Sequence, residues 1–156
     1  YENLTNCTAA PYASYLLNKE SMNEKDLNNA IDLIRLSEDQ FTFWNTTPNE
    51  YGLRMMATPC VFEQYKYQKP VDHSAHNVAM AFLDLYEKTG DKLAFAKAKA
   101  LVDNMTIVQN KGNGQMPTTW DFRTPYHDSN RSFWTNCTYA AVTALLRMAE
   151  ITENEK

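Results

Sequence analysis

The stretch that most constrains the fold is Val78-Ala79-Met80-Ala81-Phe82-Leu83-Asp84-Leu85-Tyr86. It has no period-two alternation and almost no polar face at helical spacing. A helix that is apolar all round is a buried helix, so other elements must cover it. Polar residues crowd its start, in Asp72-His73-Ser74-Ala75-His76-Asn77. Its end is marked by Thr89-Gly90-Asp91, where a Gly suited to a C-cap meets an Asp suited to an N-cap. That pair predicts a tight turn between antiparallel helices, the first over 74–90 and the second over 92–109. The second is amphipathic, with Leu93, Ala96, Ala100, Leu101, Met105 and Val108 set against Lys97, Lys99 and Asp103.

The same alternation of helix types recurs along the chain. Residues 4–19 read as an apolar helix that Pro11 should break or kink. Ser21-Met22-Asn23-Glu24 matches a capping box with Ser at the cap. It opens a second helix that runs to about residue 44, with Leu27, Ala30, Ile31, Ile34 and Phe41 on one stripe. Residues 45–73 form a long connection, interrupted by Pro48, Gly52, Pro59 and Pro70. Within it, 61–67 reads as a short strand or a turn of helix. A second long connection covers 110–130, and a last helix spans 131–151, capped by Asp128 or Ser129 and apolar nearly all round. Connections this long in a compact domain are usually functional.

The ends of the chain also repeat each other. Thr5-Asn6-Cys7-Thr8 is matched by Thr135-Asn136-Cys137-Thr138, with Leu16 against Leu146 in the same register and Asn77 in the corresponding place on the middle helix. The order is therefore buried helix, amphipathic helix, loop, twice over, then a third buried helix. Two kinds of helix imply two layers, the apolar ones inside. The fold class read from this is all-α, built of stacked antiparallel α-hairpins.

Composition sets the outer limits. The 156 residues suffice for one domain with a sizeable core. Only 4 Gly speaks against a turn-rich all-β fold. A net charge of -4 without a basic run argues against nucleic acid and against an anionic membrane surface. The apolar runs are too short to span a bilayer. Tyr1 opens the sequence without a signal peptide in view, and the chain is read as one piece of a longer polypeptide. Its location follows from that parent chain, secreted or periplasmic if the parent carries a signal. Three widely spaced cysteines, Cys7, Cys60 and Cys137, read as buried thiols rather than a disulfide framework.

Buried and amphipathic helix pairs of this kind resemble the (α/α) toroid of six-hairpin glycosidase-like proteins. The phrases Phe82-Leu83-Asp84-Leu85-Tyr86-Glu87-Lys88-Thr89-Gly90-Asp91, Ala98-Lys99-Ala100-Leu101-Val102-Asp103-Asn104-Met105-Thr106 and Gly114-Gln115-Met116-Pro117-Thr118-Thr119-Trp120 carry the resemblance. It implies that residues 1–156 are a single all-α piece of a larger toroid domain, its C-terminal part. It also implies a carbohydrate-active protein, a glycoside hydrolase before a polysaccharide lyase, whose sugar cleft borders the starts of the inner helices. The competing reading is a non-catalytic helical module that binds a glycan or a protein.

Three groups would meet at those helix starts. Glycoside hydrolysis needs two carboxyl groups, about 5–5.5 Å apart for retention and about 6.5–9.5 Å for inversion. Glu63, Asp72 and Asp121 are the candidate catalytic acids, with Asp128 beside them. Tyr65, Trp120 and Trp134 are candidates to stack on sugar rings, and His73, His76, Arg123 and His127 to bind the substrate. A lyase would use a His or Tyr base with Arg123 neutralising a uronate. Structural roles compete with each of these: Asp72 and Asp128 as helix caps, His73 and His76 as surface or capping residues, and Trp120 and Trp134 as core anchors. Asn6, Asn77 and Asn136 would satisfy helix ends or bond across hairpins. Cys7, Cys60, Cys137 and Glu63 are a set that zinc accepts, yet no pair of adjacent cysteines supports it, and no metal or cofactor is assigned. Asn-X-Ser/Thr triplets at Asn6 and Asn136 fall on helices expected to be buried and are not read as glycosylated. The apolar edges of a partial toroid would favour a homo-oligomer.

Overall fold

The computed structural model describes residues 6–44, 59–64, 69–110, 112–119 and 133–154, with Cys7 and Asp72 placed by their backbone alone. The described chain is mostly helical: α1 (Asn6–Leu17), α2 (Glu24–Phe41), α3 (Asp72–Thr89), α4 (Lys92–Val108) and α5 (Thr135–Asn154). Two short strands, β1 (Thr42–Phe43) and β2 (Cys60–Val61), pair antiparallel, with Thr42 opposite Val61 and Phe43 opposite Cys60.

Helix α3 is the centre of the molecule. It packs against α1, α2, α4 and α5, while α1 also packs on α2 and α4 on α5. Ala75, Val78, Ala79, Ala81, Phe82, Leu83 and Leu85 are all buried, as an all-apolar helix requires. The turn to α4 is the expected one. Gly90 takes φ 72°, a left-handed conformation that suits glycine, and its N–H bonds the Tyr86 carbonyl at 2.7 Å. Asp91 then caps α4 through Leu93 N–H at 2.8 Å. Helix α1 is not broken at Pro11 and continues to Leu17. The missing N–H removes one helical bond, and packing on α2 and α3 compensates for it.

Several local expectations need correction. Helix α2 is capped by Asn23, not Ser21: Asn23 Oδ1 accepts from Asp26 N–H at 3.0 Å, and Asp26 Oδ2 accepts from Asn23 N–H at 3.2 Å. The box is the same device shifted by two residues, with Asp in the place of Glu. Helix α2 stops at Phe41 because Thr42 turns extended and joins the strand pair. Helix α3 begins earlier than expected, after an N-cap Val71 that makes no side-chain cap bond. Asp72 is therefore a first-turn residue and not the cap. Helix α5 begins only at Thr135, and the expected caps Asp128 and Ser129 lie outside the described residues. On α4 the buried stripe is Ala94, Ala98, Leu101, Val102, Met105 and Val108; Leu93 is 62% exposed. The stripe turns because α4 must meet both α3 and α5.

Helix α5 corrects the layer assignment most. Its apolar surface is not all covered: Tyr139, Val142 and Leu146 are exposed, opposite the buried Cys137, Ala140, Ala141 and Ala144. Across the chain, Tyr12 and Tyr15 of α1 are likewise exposed and stack on each other at 5.8 Å. Helices α1 and α5 thus each present one exposed apolar face. The matching Thr-Asn-Cys-Thr segments also sit differently, since Asn6 is fully buried and Asn136 is exposed. Burial therefore does not remove the Asn136 triplet from modification. Cys60 is a buried free thiol, pushed up to about 12 by that burial, and Cys137 is buried on α5. No helix among the described residues is long and apolar enough to cross a membrane.

Candidate functional site

The starts of α1, α3 and α5 are tied to one end of the molecule by extended backbone. Phe62 N–H bonds the Phe41 carbonyl at the end of α2 (2.8 Å), and Asn6 N–H at the start of α1 bonds the Glu63 carbonyl (2.8 Å). The end of α2 therefore lies beside the start of α1, as in an antiparallel hairpin. Val71 N–H bonds the Val61 carbonyl at 2.9 Å, and Phe62 stands opposite Pro70. Val71 in turn pairs with Thr119. The segment 116–119 then reaches α5: Trp134 N–H donates to Thr118 Oγ1 at 2.8 Å, and Met116 N–H to Thr138 Oγ1 at 3.1 Å. Short strands hold this end because each helix start leaves backbone donors that need partners.

The sequence candidates divide around this rim. Glu63 lies on it, half-buried, one residue beyond the Phe62–Pro70 pair. Asp72 lies one residue beyond the Val71–Val61 bond, so both acids flank the same pairing. His73 and His76 sit in the first turns of α3, half-buried, with ring centroids 6.1 Å apart. Trp134 is 63% exposed just before α5, which rules it out as a core anchor. Tyr65, Trp120, Asp121, Arg123, His127 and Asp128 lie outside the described residues, as does the side chain of Cys7 from the cysteine set.

The electrostatics of the rim centre on His76. Burial, then the neighbouring His73, pushes its pKa down to about 4, against an opposing backbone bond to Ala140. His76 is thus neutral at pH 7, in the form that can accept or donate a proton. Its Nδ1 is buried without a hydrogen-bond partner among the described residues, as are both side-chain polar atoms of Asn6. Asn6 does not satisfy its helix end through its side chain as expected; it is a buried carboxamide with its polar atoms unmet. Asn77 Nδ2 lies 3.4 Å from His73 Nδ1 and links the rim to the helix behind it.

Behind the rim a groove of about 320 Å³ opens between α1, α3 and α5, lined by Ser14, Asn18, His76, Asn77, Asp84 and Arg147 among others. The sequence reading missed Asp84 and Arg147. Arg147 Nη2 donates to Asp84 Oδ1 at 2.5 Å and also to Glu87 Oε2. The signal was present, because each is the lone charge in an otherwise apolar run of its helix, and a buried charge needs a partner. Asp84 is only 2% exposed. Comparison with known proteins adds no relative: no protein-family model matches the chain, and no curated protein matches it.

Proposed function

We propose that this chain is part of a carbohydrate-active protein with toroid-like stacking of α-hairpins, and that its activity is glycoside hydrolysis of an oligo- or polysaccharide. The observation that supports this most is the gathering of the α1, α3 and α5 starts on one rim, which brings Glu63, the Asp72 backbone, His73, His76 and Trp134 to the same end. Acid/base chemistry on a glycosidic bond needs two carboxyl groups on one site, and Glu63 and Asp72 flank one short strand pairing. Trp134 offers an open aromatic face of the kind that covers the apolar face of a sugar ring. In this reading Glu63, Asp72 and Asp121 are the acids from which the catalytic pair is drawn. Tyr65, His73, His76, Trp120, Arg123, His127 and Trp134 orient the substrate.

A second reading, a non-catalytic module that binds glycan, draws on the exposed aromatic residues Tyr12, Tyr15 and Tyr139 on open helix faces. The deciding experiment is a turnover screen of the chain on an oligosaccharide panel beside Glu63→Gln, Asp72→Asn and Asp121→Asn. Loss of turnover by two or more orders of magnitude in one variant, with the fold intact by circular dichroism, supports hydrolysis. Binding without turnover in the unmodified chain favours the binding module, and no response to any glycan removes the carbohydrate reading.

A further inference from the structure

We infer that the groove between α1, α3 and α5 is a subsite for a neutral glycan and that it rejects polyuronates. The inference rests on the carbohydrate reading above and extends it to the class of sugar. It follows from how one buried charge is used. Among the described residues Arg147 is the one cation lining the groove, and one of its terminal nitrogens meets both Asp84 and Glu87. Its charge is therefore fully matched, and the three groups together carry one net negative charge. Its other terminal nitrogen faces the Met80 thioether at 3.9 Å, a weak acceptor at long range. The guanidinium thus keeps N–H donors for a ligand while having no positive charge left for one. Hydroxyl groups match that combination, and a carboxylate is repelled by Asp84 and Glu87.

The rest of the lining fits the same ligand. Asn18 and Asn77 present carboxamides, which can donate to and accept from sugar hydroxyls. Asn18 donates its own Nδ2 to the Ser14 carbonyl at 3.0 Å, which fixes the side chain at the groove edge. His76 adds a neutral ring and no charge. Pro11 and Met80 supply the apolar surface against which a ring can rest. The volume, about 320 Å³, falls within the range of small-molecule sites. The groove is continuous with the rim through Asn77, which lies one turn beyond His73. From Asn77 to Asp84 it follows α3 for roughly 10 Å. A second hollow of about 510 Å³ shares Arg147 and is bordered by Glu87 and Glu150, which adds negative charge on that side.

The test is a titration of the chain with neutral oligosaccharides and with oligogalacturonates, followed by calorimetry or NMR, at low and high salt. Neutral oligosaccharides should bind at least tenfold more tightly than the uronates. Asn18→Ala and Asn77→Ala should each weaken them severalfold. Glu87→Lys, a change at a position 44% exposed, should narrow the gap in favour of uronates, and salt should screen that change. Uronates binding as tightly as neutral sugars to the unmodified chain would overturn the proposal. So would neutral binding lost in Trp134→Ala but untouched by both Asn variants, which would place the sugar on the rim alone and leave the carbohydrate reading standing. Absence of all glycan binding would overturn both.

Discussion

His76 shows how one residue ties stability to pH in this chain. Its pKa is about 4 in the fold, against 6.5 for the free side chain, because burial and His73 both oppose its charge. The unfolded chain therefore binds the proton first as pH falls. The stability gained by keeping His76 neutral is complete above pH 6.5 and is lost as pH falls towards 4, with a slope approaching about 1.4 kcal/mol per pH unit. Urea unfolding of the chain and of His76→Gln between pH 7 and 4 should show the unmodified chain losing more stability towards acid than the variant. The Arg147 pairs behave differently from each other. Asp84→Ala removes the buried partner of a half-buried guanidinium and leaves it only the exposed Glu87, and the expected loss is roughly 2 kcal/mol. Glu87→Gln removes the more exposed partner, and the expected loss is under about 1 kcal/mol. Chemical denaturation of the two variants side by side checks the difference. Asp84 and Arg147 were each legible in the sequence as a lone charge inside an apolar run, but their pairing was not. Arg147 is 63 residues away, and nothing local to either residue points to the other.

At the scale of elements, the sequence placed all five helices, because long apolar periodicities survive tertiary context. Their ends were read less well. The α2 cap moved from Ser21 to Asn23 since both residues belong to good cap types, and only the backbone decides which turns first. Asn23→Ala should cost about 1 kcal/mol. Gly90→Ala should cost about 1–2 kcal/mol, since a Cβ at φ 72° is strained even though no neighbouring atom obstructs it. Thermal unfolding of each variant is the check. The misreading of α5 has a different origin. Composition marks a residue as apolar, but not whether another element covers it, and Tyr139, Val142 and Leu146 look like core until the neighbours are placed. Native-state hydrogen exchange should therefore give α3 the highest protection, with α5 below it.

For the whole molecule, the mostly helical character was legible from pattern alone. Helix α3 touches α1, α2, α4 and α5, with α2 also on α1 and α4 also on α5. The rim was legible only as an expectation that inner-helix starts converge. The ties that bring them together are short extended segments, 60–63, 69–71 and 116–119, whose pairing depends on contacts far apart in sequence. The groove behind the rim was not legible, because it is made by three helices at once. The most direct measurement is hydrogen exchange of the chain with and without the oligosaccharide that binds best. Added protection concentrated in 60–64, 69–77 and 133–138 is the predicted result. Protection confined to α2 and α4, or none anywhere, would contradict a sugar site at the starts of α1, α3 and α5.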